Sequence, residues 1–160
     1  MTSPLDATRI ERLLYELCVE QGFCLPPHKQ TRLQDNPPKD VDTFTDAVLL
    51  AEGLNPQYEK QLRRGVRDCV ARHFRAAMLE TVHRSSSNHR AQIERSSVCG
   101  CFYCLRTFAP SAIERWITEP SGGETALCPK CGIDSVIGDA SGYGLSAEFL
   151  AAMHQRWFET

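Results

Sequence analysis

The chain has 160 residues, 42% of them apolar, which is enough for one ordinary domain or two small ones with a real core. The formal net charge of −2 provides no overall attraction to nucleic acid or to an anionic membrane, so such binding would need a local basic patch. The first residues show no basic segment followed by an apolar run, and no apolar stretch of about 18 residues occurs, which predicts a cytoplasmic protein without a membrane anchor.

Apolar residues recur at helical spacing through most of the first half. The pattern predicts helices over residues 6–21, 28–33 and 57–82, and a further one from an Asp42 N-cap to Gly53. Gly22 follows the first helix at the position of a C-terminal cap. In the helix predicted over residues 57–82, the apolar stripe extends from Tyr58 to Ala77. Four helices of this kind can bury a shared core, so residues 1–84 are predicted to form a helical domain.

The second half has a different character. A polar run at residues 84–90 marks the boundary near residue 85, and residues 85–160 are predicted to form a zinc-binding domain. Short strands are expected at residues 125–127 and 133–137, short helices at 88–96 and 111–116, and a final helix from Ser146. The predicted fold class is α+β, with the helical domain followed by a small zinc ribbon or treble-clef-like domain that ends in a helix.

Five of the eight cysteines lie between residues 99 and 131. In a reducing cytosol disulfides are disfavoured, so closely spaced cysteines favour metal ligation or redox chemistry. Two C-x2-C pairs with 23 residues between them have the spacing of a closed tetrahedral zinc site. The predicted ligands of one structural Zn²⁺ are Cys101, Cys104, Cys128 and Cys131. A redox C-x-x-C pair and an iron site are the alternatives.

Cys99 is a competing candidate for the first ligand. Only one residue separates it from Cys101, whereas the Cys101/Cys104 pair repeats the two-residue spacing of Cys128/Cys131. Cys99 is therefore predicted to be a neighbour of the metal rather than a ligand.

Four thiolates leave no coordination position for water, which indicates that the metal is not catalytic. The rival hypothesis is a metal-dependent nuclease or hydrolase, since ββα-metal (HNH-type) nucleases can use two C-x-x-C pairs structurally. Its candidate catalytic residues are His89, Asp134 and His154, although no histidine lies between the two cysteine pairs, where such a nuclease would carry its general base. Convergence of these three side chains in one cleft would favour the enzyme.

One surface of the long helix is basic. Lys60, Arg63, Arg64 and Arg67 recur at helical spacing and are the candidate partner-binding residues, although a solvated face is the commoner explanation. The acidic net charge favours another protein as the partner, with nucleic acid as the second candidate. A toxin as the partner would make this chain a protein of immunity or regulatory type, although no residue in the sequence indicates this. Trp116, Trp157 and Phe158 are expected in the small core of the zinc domain or in a recognition patch.

Both halves resemble known families. Residues 87–90 (SNHR), 99–104 (CGCFYC), 125–138 (TALCPKCGIDSVIG) and 149–158 (FLAAMHQRWF) resemble a widespread bacterial family of zinc-binding "cytoplasmic proteins". That resemblance implies a C-terminal zinc-binding domain and a bacterial cytosolic location, and it implies no reaction. Residues 22–27 (GFCLPP), 37–48 (PPKDVDTFTDAV) and 51–54 (AEGL) resemble a second family of small bacterial proteins, which supports a two-module organisation.

Overall fold

The computed structural model describes residues 3–159 and forms two compact units. The first unit extends to Met78 and the second begins at Leu79, so the boundary lies within one long helix. The domain boundary that the sequence predicts between residues 84 and 85 remains a prediction. Within residues 3–159, no helix is both long enough and apolar enough to cross a membrane.

The first unit is helical. Its elements are α1 (Ala7–Gln21), α2 (Pro27–Asp35), α3 (Val41–Ala51) and α4 (Lys60–Arg84) up to the boundary. The Asp6 carboxylate caps α1 by accepting the Arg9 N–H at 2.8 Å, and Gly22 ends the helix with φ 77°. The helices enclose an apolar core that includes Ile10, Leu13, Leu17, Phe44, Val48, Leu49, Val66 and Val70. The helical N-terminal region is therefore confirmed.

Two local predictions in this unit are wrong. The N-cap of α3 is Asp40, which accepts the Thr43 N–H at 2.9 Å, and not Asp42. Helix α4 begins at Lys60, because the Asn55 side chain forms a turn with the N–H of Gln57. Tyr58 consequently precedes the helix and is exposed rather than part of its buried stripe.

Cys18 and Cys24 form a disulfide, contrary to the expectation from a reducing compartment. The left-handed Gly22 reverses the chain directly after α1, which returns Cys24 to the side of Cys18 with their Cα atoms 4.3 Å apart. The turn geometry therefore accounts for the pairing, which sequence spacing alone did not indicate.

The second unit contains short strands and two helices besides the end of α4. The elements are α5 (Arg90–Glu94), β1 (Cys99–Cys101), β2 (Thr107–Phe108), β3 (Trp116–Thr118), β4 (Glu124–Ala126), β5 (Val136–Gly138) and α6 (Ala147–Phe158). Strand β1 lies between β2 and β5 in an antiparallel sheet, in which Cys101 is opposite Val136. Strands β3 and β4 form a separate antiparallel pair.

The predicted helix over residues 111–116 is wrong. A single 3₁₀ turn covers Pro110–Ala112, after which Ile113 is extended with φ −83° and ψ 111°. Trp116 begins β3 opposite Ala126, so strand pairing overrides the local helical signal. The final helix is confirmed, because the Ser146 hydroxyl accepts the Phe149 N–H at 3.1 Å and caps α6.

His89 is buried in the second unit, with 6% of its surface exposed. Its backbone N–H donates to the Glu124 carbonyl at 3.0 Å, which ties the start of α5 to β4. Neither ring nitrogen makes a hydrogen bond of normal geometry to any residue in the range 3–159. Burial lowers the pKa of the His89 imidazole, and a weaker effect of the Val136 backbone opposes this.

The second unit should lose stability in mild acid. Because the folded pKa of His89 lies below its unfolded value of about 6.5, the unfolded chain binds the proton more tightly and the free energy of unfolding falls as the pH falls below about 6.5. In His89→Phe we expect the free energy of unfolding to decrease less than in the wild type as the pH falls. Denaturant unfolding at neutral and mildly acidic pH measures this difference. His83, whose pKa is also lowered by burial, is present in both proteins. Identical pH profiles would contradict the assignment to His89.

Candidate metal centre

The first cysteine pair lies in the tight turn between β1 and β2. Cys101 ends β1, and its backbone N–H donates to the Arg106 carbonyl at 2.9 Å. The Leu105 N–H donates in turn to the Cys101 carbonyl at 2.8 Å. Leu105 has φ 61°, the left-handed region that glycine usually occupies. This turn directs the side chains of Cys101 and Cys104 to the same point.

The second pair lies in a turn of the same design between β4 and β5. The Cys128 N–H donates to the Ile133 carbonyl at 2.9 Å, and the Gly132 N–H donates to the Cys128 carbonyl at 2.9 Å. Gly132, with φ 80°, occupies the position that Leu105 occupies in the first turn. The Lys130 N–H points at the Cys128 sulfur, 3.4 Å away.

The four sulfurs meet with the spacing of a tetrahedral site. Cys101 Sγ lies 3.7 Å from Cys131 Sγ, and Cys104 Sγ lies 3.7 Å from Cys128 Sγ. All four atoms lie within 4.8 Å of one another. Four sulfurs at about 2.3 Å from one zinc ion are about 3.8 Å apart, whereas a disulfide would need about 2.05 Å. These residues therefore form a group that can hold a metal ion.

Electrostatics favour the same conclusion. Burial raises the pKa of the Cys101 and Cys131 thiols. Burial also raises the pKa of Cys128, but the N–H groups of Lys130 and Cys131 outweigh this effect and hold it below the usual value. Thiolates that repel one another in a half-buried cluster need a cation to be ionised together.

Cys99 lies outside the four-sulfur group. It is fully buried in the small core of the second unit, on β1 opposite Phe108 and Gly138. Burial raises the pKa of this thiol to about 11, and the charge of Asp139 adds to the effect.

The structure does not bring His89, Asp134 and His154 together. Among residues 3–159, metal-ligating side chains gather at two places, and neither group contains any of these three. His89 is buried, whereas Asp134 is exposed. His154 uses Nδ1 to contact the Phe102 carbonyl at 3.1 Å.

Two of the four predicted partner-binding cations are engaged within the first unit. Arg63 pairs with Asp46 at 2.7 Å and with Asp42 at 3.2 Å, and Arg67 pairs with Asp42 at 2.9 Å. Lys60 and Arg64 are exposed. The basic face is therefore partly neutralised by α3, which the helical spacing alone did not indicate.

A second group of metal-ligating side chains lies in the first unit and was missed by sequence reasoning. Glu16, Cys69 and His73 place one ligand atom each within 4.8 Å of the others. Cys69 and His73 are four residues apart on α4, which is a recognisable signal, but Glu16 belongs to α1 and no local pattern connects it to them.

Comparisons with protein-family models, with curated proteins and with solved structures give no significant match. The features of residues 3–159 that bear on function are therefore the two clusters of side chains and the exposed residues beside them.

The second turn should depend on its left-handed glycine. In Gly132→Ala the new Cβ occupies a left-handed residue and comes within 3.0 Å of Arg115 Nη2, so we expect a loss of about 1–2 kcal/mol in the stability of the metal-loaded second unit. Gly144→Ala is the control, because its Cβ meets no atom within 4 Å. Denaturant midpoints of both variants check this, and equal midpoints would show that the left-handed turn is not required.

Proposed function

We propose that the protein is a non-catalytic zinc-binding interaction protein in which one structural Zn²⁺ is held by Cys101, Cys104, Cys128 and Cys131. The observation that supports this most directly is the 3.7 Å separation of sulfurs contributed by two turns of matching design. With four thiolates as ligands, the ion has no free position for a substrate or a reactive water. Its role is then to stabilise the second unit.

The architecture that we propose for this unit is a zinc ribbon. Both cysteine pairs lie in turns that adjoin strands, and neither pair lies on a helix. The ion would fasten the turn after β1 to the turn before β5, and these two strands are neighbours in the sheet. The helix α6 follows at the end, as the sequence indicated.

The surface beside the first turn favours an interaction role. Tyr103, Leu105 and Phe158 are 42%, 45% and 40% exposed. The rings of Tyr103 and Phe158 pack edge to face with centroids 4.9 Å apart. Aromatic residues are enriched at protein interfaces, and the metal would fix the turn that carries two of these three side chains.

We infer that the partner is another protein rather than nucleic acid. The net charge is −2, and Asp42 and Asp46 neutralise part of the one basic helix face. The proposed location is the bacterial cytoplasm, which the family resemblance and the sequence of the first residues support. An immunity or regulatory type of role is part of this proposal, although no residue indicates it.

Removal of the metal should unfold the second unit. Structural zinc contributes on the order of 10 kcal/mol to the stability of small zinc modules. We therefore expect Cys104→Ala or a strong chelator to remove the protection of backbone amides from hydrogen exchange in the second unit, while the amides of α1, α2 and α3 stay protected. Cys99→Ala is the matched control and should retain zinc-dependent protection despite the lost burial. Unchanged exchange after metal removal would contradict a structural zinc.

Partner binding should depend on the exposed aromatic surface of the second unit. We expect the wild-type chain to capture a partner protein from an extract of the source organism. The Tyr103→Ser variant should no longer capture it, although its zinc content should be unchanged. Tyr58→Ser is the control, because Tyr58 is an exposed tyrosine of the first unit. Equal capture by both variants would exclude this surface. Retardation of DNA or RNA with an affinity that falls steeply with salt would instead identify nucleic acid as the partner.

A further inference from the structure

The first unit contains a compact arrangement of three different metal-ligand atoms. His73 Nε2 lies 2.7 Å from Glu16 Oε2, and Cys69 Sγ lies 3.5 Å from Glu16 Oε1. Imidazole nitrogen, thiolate sulfur and carboxylate oxygen are the ligand types that zinc binds in proteins. The combination is more specific than a cluster of acidic residues, since it joins one ligand of each class.

The backbone fixes two of these ligands rigidly. Cys69 and His73 are four residues apart, so they project from the same face of α4, the geometry by which paired ligands on one helix hold a single ion. Glu16 completes the group from α1, which packs on α4 through the shared core. Cys69 is almost completely buried, which limits how far its sulfur can move.

The group also has an accessible side. The side chains of His73 and Glu16 are 12% and 26% exposed, whereas Cys69 lies on the interior side. An ion bound by these three residues would keep its remaining position toward the solvent. Sites with three protein ligands usually hold a water there, unlike closed four-thiolate sites.

We propose that Glu16, Cys69 and His73 form a second, open zinc site in the first unit. Binding replaces the proton of the Cys69 thiol with Zn²⁺ and releases that proton to solvent, while His73 binds as neutral imidazole and Glu16 as carboxylate. The site takes water or a small anionic ligand in its fourth position. It is independent of the four-cysteine centre, which shares no residue with it.

Arg72 bears directly on this site. Its Nη2 lies 2.5 Å from Glu16 Oε1 and 3.5 Å from Glu20 Oε2, so its cation occupies one carboxylate oxygen while the other faces His73. A positive charge at this distance repels a divalent ion and competes for the carboxylate. Zinc therefore binds at the open site less tightly than it would without Arg72.

The test is the zinc content of the full chain, measured by elemental analysis after competition with a chelator of known affinity. We expect two zinc ions in the wild type. In His73→Gln or Glu16→Gln the second ion should bind at least about 100-fold more weakly, since loss of even an outer partner of a ligand costs about 10–100-fold. His28→Gln, which changes an exposed histidine of the same unit, should retain both ions. Both test residues reach the surface, so folding is preserved better than in Cys69→Ala.

Arg72→Gln provides a readout that a purely structural ion-pair network would not give. We expect the second zinc to bind severalfold more tightly in this variant, and an affinity that does not rise would place the ion elsewhere. Binding of one zinc only, or a second zinc that is unaffected by His73→Gln, would overturn the proposal. Zinc-dependent amide protection of the second unit reports separately on the four-cysteine centre, so failure of one site is distinguished from failure of the other.

Discussion

The second unit is organised around four cysteine sulfurs that come from two separate turns. Cys104 and Cys128 are 24 residues apart in sequence, yet their sulfurs lie 3.7 Å apart, inside a unit whose strands contain only two or three residues each. Strands this short contribute few hydrogen bonds, and the associated core cluster is small. Small domains of this kind usually need additional stabilisation, which a bound metal ion can supply.

The two units differ in how they are stabilised. The first unit buries a continuous apolar core between helices, so its fold is explained by ordinary helix packing. The second has a smaller core, and matching backbone hydrogen bonds in two turns hold its cysteine pairs. If the four cysteines hold zinc as proposed, the ion and these two turns stabilise each other.

Sequence reasoning succeeded where the signal is local. The C-x2-C spacing located the four sulfurs, and the glycine after α1 located the end of that helix. It failed where an outcome depends on a distant partner: Asp42 pairs with arginines of α4, and His73 meets a glutamate 57 residues away. Trp116 belongs to a strand because Ala126 lies opposite it, a pairing that no window around Ser111 contains. Two errors were local: the Cys18–Cys24 disulfide follows from the left-handed turn at Gly22, and the N-cap of α3 is Asp40, two residues before Asp42.

Leu105 illustrates a conflict between the needs of a fold and those of a surface. A glycine at its left-handed position would suit the turn better, as the second turn shows, and leucine there costs roughly 1–2 kcal/mol. Because Leu105 is 45% exposed, burial within the chain offsets only part of that cost. Backbone strain of this kind is concentrated at functional sites of proteins. In the interaction function proposed above, leucine at this position would lower the stability of the turn and add an apolar contact with the partner.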